Sequence, residues 1–391
     1  MPVSSSRSTP STNPTRRRLR SAPRSRSAFL IVTCSFLPPD EAREGTGMVT
    51  DMPWEMTHRP NWRQRIEGLS AESRARLAAR ARRAPLFAHA YAFHLNFRFG
   101  GMKPLDLVEF ARGQRLAGLK IHVEDGEQAS LARMPDEALS ALGAAVSEFG
   151  LELHVETSTT ELAGLSDAVR IALLTGASSL RCYPRYEGRI SQIVAWTIAD
   201  LRRLEVLDPE GRLRFTLEQH EDLKSAELIQ IIEAVANPRL SLLFDFGNMI
   251  NAFEAPMSAL AAQAPYITEV HVKDCLVRAD RGGWAHLACL SGNGDLPMLA
   301  MLVELLLLGG DRPQVLAFGL EEEEGYFAPA LRFASEAGDP FIPARSPSFT
   351  TIGTGNQERR LRQEIAAAHR QVETIRSLLQ KIITQAEKVQ E

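Results

Sequence analysis

From residue 86 onward, short continuous apolar runs alternate with longer stretches in which apolar residues recur every three or four positions. The first pattern predicts strands buried on both faces, and the second predicts amphipathic helices. The predicted strands are LFAHAYAFHL (86–95), LKIHV (119–123), LELHVE (151–156), SSLRCY (178–183), RLRFTLE (212–218), LSLLFD (240–245), ITEVHV (267–272) and QVLAFGLE (314–321). A helical stretch follows each, such as DEALSALGAAVSEFG (136–150) and SAELIQIIEAV (225–235), with FAPALRFASEAG (327–338) closing the last unit. Eight β/α units over about 250 residues define a (β/α)8 barrel. An open doubly wound sheet is the alternative, but no G-x-G-x-x-G or G-x-x-x-x-G-K-[ST] follows an early strand.

The flanks read differently. NWRQRIEGLSAESRARLAARARRAP (61–85) is a basic, Ala-rich helical lead-in. Residues 1–50 carry little ordered pattern and are expected to form a disordered basic leader. The apolar AFLIVTCSFL after RRRLRSAPRSR has the layout of an export signal, but no small-residue cleavage site follows it. Met48 and Met52 stand just before the first folded-looking sequence, which favours an upstream extension. At the other end, Leu361, Ile365, Ala368, Val372, Ile375, Leu379, Ile382, Ala386 and Val389 fall at alternating steps of four and three. That narrow seam predicts a coiled-coil helix over 357–391 and self-association into a homo-oligomer; a helix docked on its own barrel is the alternative. The domain plan is thus a leader (1–50), a barrel (51–345), a linker (346–356) and the seam helix.

Composition narrows the classes. The 391 residues are 44% hydrophobic with a net charge of −3, which gives no electrostatic case for a nucleic-acid partner. No run reaches the roughly 18 apolar residues of a membrane span. Cys34, Cys182, Cys275 and Cys289 show no C-x-x-C pairing, which suits reduced thiols in the cytoplasm.

In a barrel, polar residues at the C-terminal ends of strands converge on one mouth. Strand 5 ends in Glu218 with His220 two residues on, strand 6 in Asp245, strand 7 carries His271, and strand 8 ends in Glu321. Three carboxylates and one imidazole make a hard, oxygen-rich pocket suited to one divalent metal ion, Mn²⁺, Mg²⁺, Co²⁺ or Zn²⁺. A carboxylate at the edge of a core, as at Asp245, needs such a partner. His94, His122 and Glu124 at strand ends 1 and 2, and Arg181 near the end of strand 4, are further mouth-lining candidates. Lys273 either meets a substrate anion or pairs with Asp274.

LEQH after strand 5, FDFGNM after strand 6, VHVKD at strand 7 and LEEEE at strand 8 together resemble the xylose-isomerase-like TIM-barrel family. That family includes sugar phosphate isomerases and epimerases, ketose 3-epimerases and inosose dehydratases, and the resemblance covers roughly residues 86–338. It implies that Glu218, Asp245, His271 and Glu321 bind one divalent metal. It also implies that Glu218 and Glu321 exchange protons with a sugar-like substrate through an enediolate. Glu321 is chosen over Glu322, Glu323 and Glu324 because it comes first after the apolar VLAFGL. Two departures bear on the substrate: Asn248 stands where several members carry a His, and HVKDC lacks the Arg some epimerases place beyond the strand-7 His. HVKD is closer to the dehydratase-type branches, so a lyase acting on a keto-inositol or keto-sugar acid is the second reading. An endonuclease-IV-like repair enzyme would need a richer His set and a basic face. An inactive oligomeric scaffold would have no need of three converging carboxylates.

Overall fold

The structure, a computed structural model, describes residues 58–323, 325–345 and 356–388. The leader, the linker up to residue 355 and the seam's Val389 lie outside the described residues. Eight parallel strands close into a barrel: β1 (Leu86–His89), β2 (Gly118–His122), β3 (Glu152–Glu156), β4 (Ser179–Cys182), β5 (Arg214–Glu218), β6 (Leu240–Asp245), β7 (Ile267–Val272) and β8 (Ala317–Leu320). Each strand pairs with its sequence neighbours, and β8 closes on β1 with Phe87 opposite Gly319. The register sets Glu156 beside Arg181, Asp245 beside His271, and His271 beside Gly319. Side-chain alternation along a strand therefore turns several charged residues into the same interior.

The helices follow the apolar periodicity. Helix Ala71–Arg82 begins at Ser70, whose side chain accepts the Ser73 N–H at 3.1 Å. It buries Leu77, Ala78 and Ala81. Three regions depart from the pattern-based expectation. The first strand stops at His89, and residues 90–93 turn into a 3₁₀ helix followed by helix His94–Phe99. His94 therefore opens a helix and does not end a strand. After β7 the chain makes an antiparallel hairpin, Asp274–Asp280 with Gly283–Cys289, whose two-residue turn holds Arg281 and Gly282 at positive φ. Third, residues 327–338 form no helix; Phe327–Ala328 instead adds a short strand to that hairpin.

The outer helix of the eighth unit is the C-terminal one, Gln357–Lys388, 32 residues long. The helix expected from the heptad seam is present, but its stripe faces inward. Ala368, Val372, Ile375, Leu379, Ile382 and Ala386 are buried, packed chiefly against helix Ala71–Arg82. Only at the N-terminal end does the seam surface, with Ile365 39% exposed. Among the described residues the stripe packs as the outer helix of a barrel does. The physical reason is that helix Ala71–Arg82 and the segment after β1 offer this stripe an apolar surface to cover. Two polar side chains tie the helix to the barrel mouth. The Glu364 carboxylate accepts from the Leu95 and Asn96 N–H groups at 2.8 and 2.9 Å. Gln371 donates to the Val272 carbonyl at 2.8 Å. Among the described residues, no helix is long and apolar enough to cross a membrane.

This packing predicts that Ile382→Ala, at a fully buried position, costs about 2–5 kcal/mol of unfolding free energy in urea. The cost should be the same at low and high protein concentration. A loss that grew on dilution would instead mean the stripe serves a second copy.

Candidate functional site

The barrel interior is charged in two layers. In the lower one, Lys120 of β2 reaches across to β7 and donates to Glu269, which also accepts from His154 Nδ1 at 3.0 Å and from the Ser179 hydroxyl. Lys120, His154, Ser179 and Glu269 are all within 1% of complete burial. The crossing needs space: a Cβ on Gly319 would lie 2.7 Å from Lys120 Cδ. Barrel interiors are usually filled by branched aliphatic residues, so a buried ion pair here is a departure that has to be satisfied by hydrogen bonds.

The upper layer holds the strand-end residues. His271 Nδ1 lies 3.4 Å from Glu218 Oε1, 3.5 Å from Glu321 Oε2 and 3.9 Å from Asp245 Oδ2. These spacings match neighbouring ligands of one small cation more closely than they match hydrogen bonds. His271 Nδ1 is buried with no hydrogen-bond partner, while Glu218 Oε2 lies 3.1 Å from Arg181 Nε and Asp245 Oδ2 3.1 Å from Lys273 Nζ. Glu218, Asp245 and His271 form one group able to hold a metal ion, and His89, His271 and Glu321 form another sharing the same imidazole. The other edge of His271 is engaged: Nε2 donates to Glu156 Oε1 at 2.9 Å. Asp245 Oδ1 is held by the N–H groups of Gly247 and Asn248 at 2.7 and 2.8 Å, which leaves Oδ2 to face the centre.

Electrostatics confirm an unbalanced pocket. Burial disfavours charge on His271, yet Glu321, Glu156 and Glu218 outweigh it and carry the imidazole up to about 10. Burial pushes the Asp245 carboxyl up to about 7, with Lys273 opposing and Glu321 and Glu218 adding to the rise. Burial would raise Glu156 too, but Arg181, His89 and His271 hold it well below the usual carboxylate range. Metal-free, the centre thus retains protons that a cation would displace.

Above the centre opens a cavity of about 270 Å³. The residues singled out in the sequence are distributed as follows. Glu218, Asp245, His271 and Glu321 meet at the floor, and the register of the acidic run is resolved. Glu321 faces His271 and His89, Glu322 turns to the Ser291 N–H at 2.7 Å, and Glu323 lines the cavity. Lys273 points inward, 3.1 Å from Asp245 and 3.2 Å from Glu321. Asp274 points away and accepts from the N–H groups of Gly292 and Gly294, so the Lys273–Asp274 pair does not form. Arg181 lines the cavity, but its guanidinium is committed to Glu156 and to Glu218 at 3.1 Å. Asn248 donates to Glu218 at 3.2 Å. His220 stacks on Tyr183 with ring centroids 3.8 Å apart. His94 stacks on Tyr91, and burial presses its pKa down to about 4. His122 contacts Ser158 at 2.8 Å, and burial and Arg181 lower it to about 3, while Glu124 is exposed at the rim.

Sequence reasoning passed over His89, Lys120, His154, Glu156 and Glu269. His89 was hidden because the alternation LFAHAYAFHL runs past the true strand end. Glu156 stood in plain view as the last residue of LELHVE. Lys120 and Glu269 lie on the same strand faces as His122 and His271, a signal that period-2 counting would have given.

The eight-stranded closure and the mouth-facing centre define a (β/α)8 barrel. The fold is shared with D-psicose 3-epimerase of Clostridium cellulolyticum H10, solved with D-tagatose: TM-score 0.52, 12% identity, covering 74% of this chain and 99% of that one. Within this class the chain belongs to the family of the uncharacterized protein YihM of Escherichia coli K12, with 47% identity over 303 residues, 77% of this chain and 93% of YihM. A shorter stretch of 86 residues, 22% of this chain and 31% of the relative, is 28% identical to a 3-oxo-isoapionate decarboxylase of Pectobacterium atrosepticum. No family model matches the chain.

The lower layer makes its own prediction. Lys120→Met leaves Glu269 buried without its cation and should cost about 3–5 kcal/mol in urea unfolding. Lys120→Met with Glu269→Leu should cost less than the single change. A double variant as unstable as the sum of the two singles would show that the ion pair is not the stabilising unit.

Proposed function

We propose that the chain is a divalent-metal-dependent isomerase or epimerase that moves the α-proton of a sugar-derived carbonyl compound. The observation that carries the reading is the convergence of Glu218, Asp245 and Glu321 within 3.9 Å of the partnerless His271 Nδ1 at the floor of a cavity. When bound there, a divalent ion supplies Lewis acidity to a substrate carbonyl and its neighbouring hydroxyl. The protein's own groups do the rest. Glu218 and Glu321 come from well-separated strands, β5 and the end of β8, and both face the cavity. One takes the α-proton and the other returns it, which gives epimerisation; one carboxylate serving two adjacent carbons gives isomerisation. Asn248 fixes the Glu218 carboxylate through its donated hydrogen bond. His94, Arg181, His220 and Lys273 contribute the walls against which a polyhydroxylated substrate is oriented. We place this activity in the cytoplasm, where the unpaired thiols Cys182, Cys275 and Cys289 stay reduced.

One observation favours a second reading. Lys273 sets an ammonium at the cavity floor beside Asp245 and Glu321, where it can meet a carboxylate of a keto-sugar acid. Together with the short similarity to a decarboxylase, this supports a lyase in which loss of a carboxylate replaces loss of the α-proton.

Elemental analysis of the purified chain tests both. About one divalent ion per chain, lost in Asp245→Ala and His271→Ala, is the expected result. Ketoses and keto-sugar acids incubated in D₂O should then separate proton exchange from release of CO₂. An absence of metal after incubation with Mn²⁺ or Zn²⁺ would sink the mechanism.

Metal affinity should also rise with pH. Below about pH 7 the Asp245 carboxyl holds a proton in the metal-free protein, and His271 holds one up to about pH 10. Each bound ion should release about two protons at pH 6 and about one at pH 8. Calorimetry in buffers of differing ionisation heat reads this number; a pH-independent affinity contradicts the assignment of Asp245 and His271 as ligands.

A further inference from the structure

We propose that Glu156 is the positioning residue of the centre, fixing the His271 ring so that Nδ1 and not Nε2 faces Glu218, Asp245 and Glu321. The inference rests on the metal-binding reading above and extends it to a residue that touches neither substrate nor ion.

The geometry determines the orientation from below. Glu156 is completely buried, and its two oxygens divide the work. Oε1 accepts from His271 Nε2 at 2.9 Å and lies 3.7 Å from Lys120 Nζ. Oε2 faces His89 Nε2 at 3.0 Å and accepts from Arg181. His89 has a defined tautomer: its Nδ1 accepts the Tyr91 N–H at 3.0 Å, so the ring proton sits on Nε2 and points at Glu156. The carboxylate cannot turn away, because Lys120 is itself tied to Glu269 and Arg181 also contacts Glu218. His271 therefore keeps its Nε2–H on Glu156 and turns Nδ1 upward, where loss of its proton leaves a lone pair for an ion. An acceptor on the far ring nitrogen is the arrangement that orients a ligating imidazole and raises its basicity. Glu156 also brings His89 to 3.4 Å from Glu321 Oε1. The His89 and His271 rings meet edge to face at 4.7 Å.

The test uses the full chain and its Glu156→Gln variant, titrated with Mn²⁺ and Zn²⁺ by calorimetry. A glutamine can accept from one imidazole but turns an N–H₂ toward the remaining donors, so the orienting contact is lost on one side. The expected result is a 10–100-fold weaker metal affinity in the folded variant. A residue with only a structural role would lower the melting temperature and leave the affinity of the folded protein unchanged, and that outcome overturns the inference. Should the variant not fold, the unsubstituted zinc-loaded chain supplies the answer through its imidazole ¹⁵N shifts. Zinc on His271 Nδ1 with a protonated Nε2 supports the role of Glu156; zinc on Nε2 overturns it. If the unsubstituted chain binds neither ion, the metal-binding reading and this one both fall. Unchanged affinity in Glu156→Gln removes only this one.

Discussion

Charge neutrality inside the barrel is the constraint on which the rest depends. Five carboxylates of the two layers, Glu156, Glu218, Asp245, Glu269 and Glu321, face three permanent cations, Lys120, Arg181 and Lys273, while burial holds the neighbouring Glu323 toward its neutral form. Two negative charges are left over in an interior where each unbalanced charge costs several kcal/mol. Without a cation the balance is made by protons, one on His271 and a partly retained one on Asp245. A divalent ion bound as proposed would supply the same two charges at the same place. Under the proposed reading, proton load and metal are alternative solutions of one electrostatic problem, and His271 and Asp245 are the groups whose proton affinity the pocket raises.

The lower layer shows what it takes to keep such a centre in place. A wholly aliphatic interior would pack with less risk, but it would give Glu156 no cation beneath it. Lys120, held by Glu269 and passing over Gly319, provides that support. The hydrogen-bonded pair of layers then spans β1 to β8, so the upper residues are positioned by neighbours on other strands and do not depend on loops alone. Strand-borne groups of this kind are more rigidly placed than loop-borne ones.

Much of this was legible in the sequence, and the failures have physical causes. The eight strands and the strand-end set Glu218, Asp245, His271 and Glu321 followed from periodicity and from where each apolar run stopped. The first strand was overextended because a 3₁₀ turn at Ala90–Phe93 continues the same apolar spacing. The hairpin after β7 was missed because DCLVRAD and GWAHLAC lie between stronger signals. A narrow heptad stripe specifies that a helix is buried along one line, but the identity of the partner is a tertiary matter. Here the line is covered by helix Ala71–Arg82, at the other end of the chain. The charged interior residues were passed over because Lys120 and Glu269 sit inside apolar runs, where a single polar letter reads as noise unless its neighbours across the sheet are known.

The contacts of Glu364 and Gln371 carry a consequence for how the protein comes into being. The loop after β1 and the end of β7 both make hydrogen bonds with a helix encoded after all eight strands. During synthesis all eight strands are made before that helix. The mouth is therefore completed only after the strands that form it. A nascent chain carries every reactive side chain and yet has no completed vessel in which to use them.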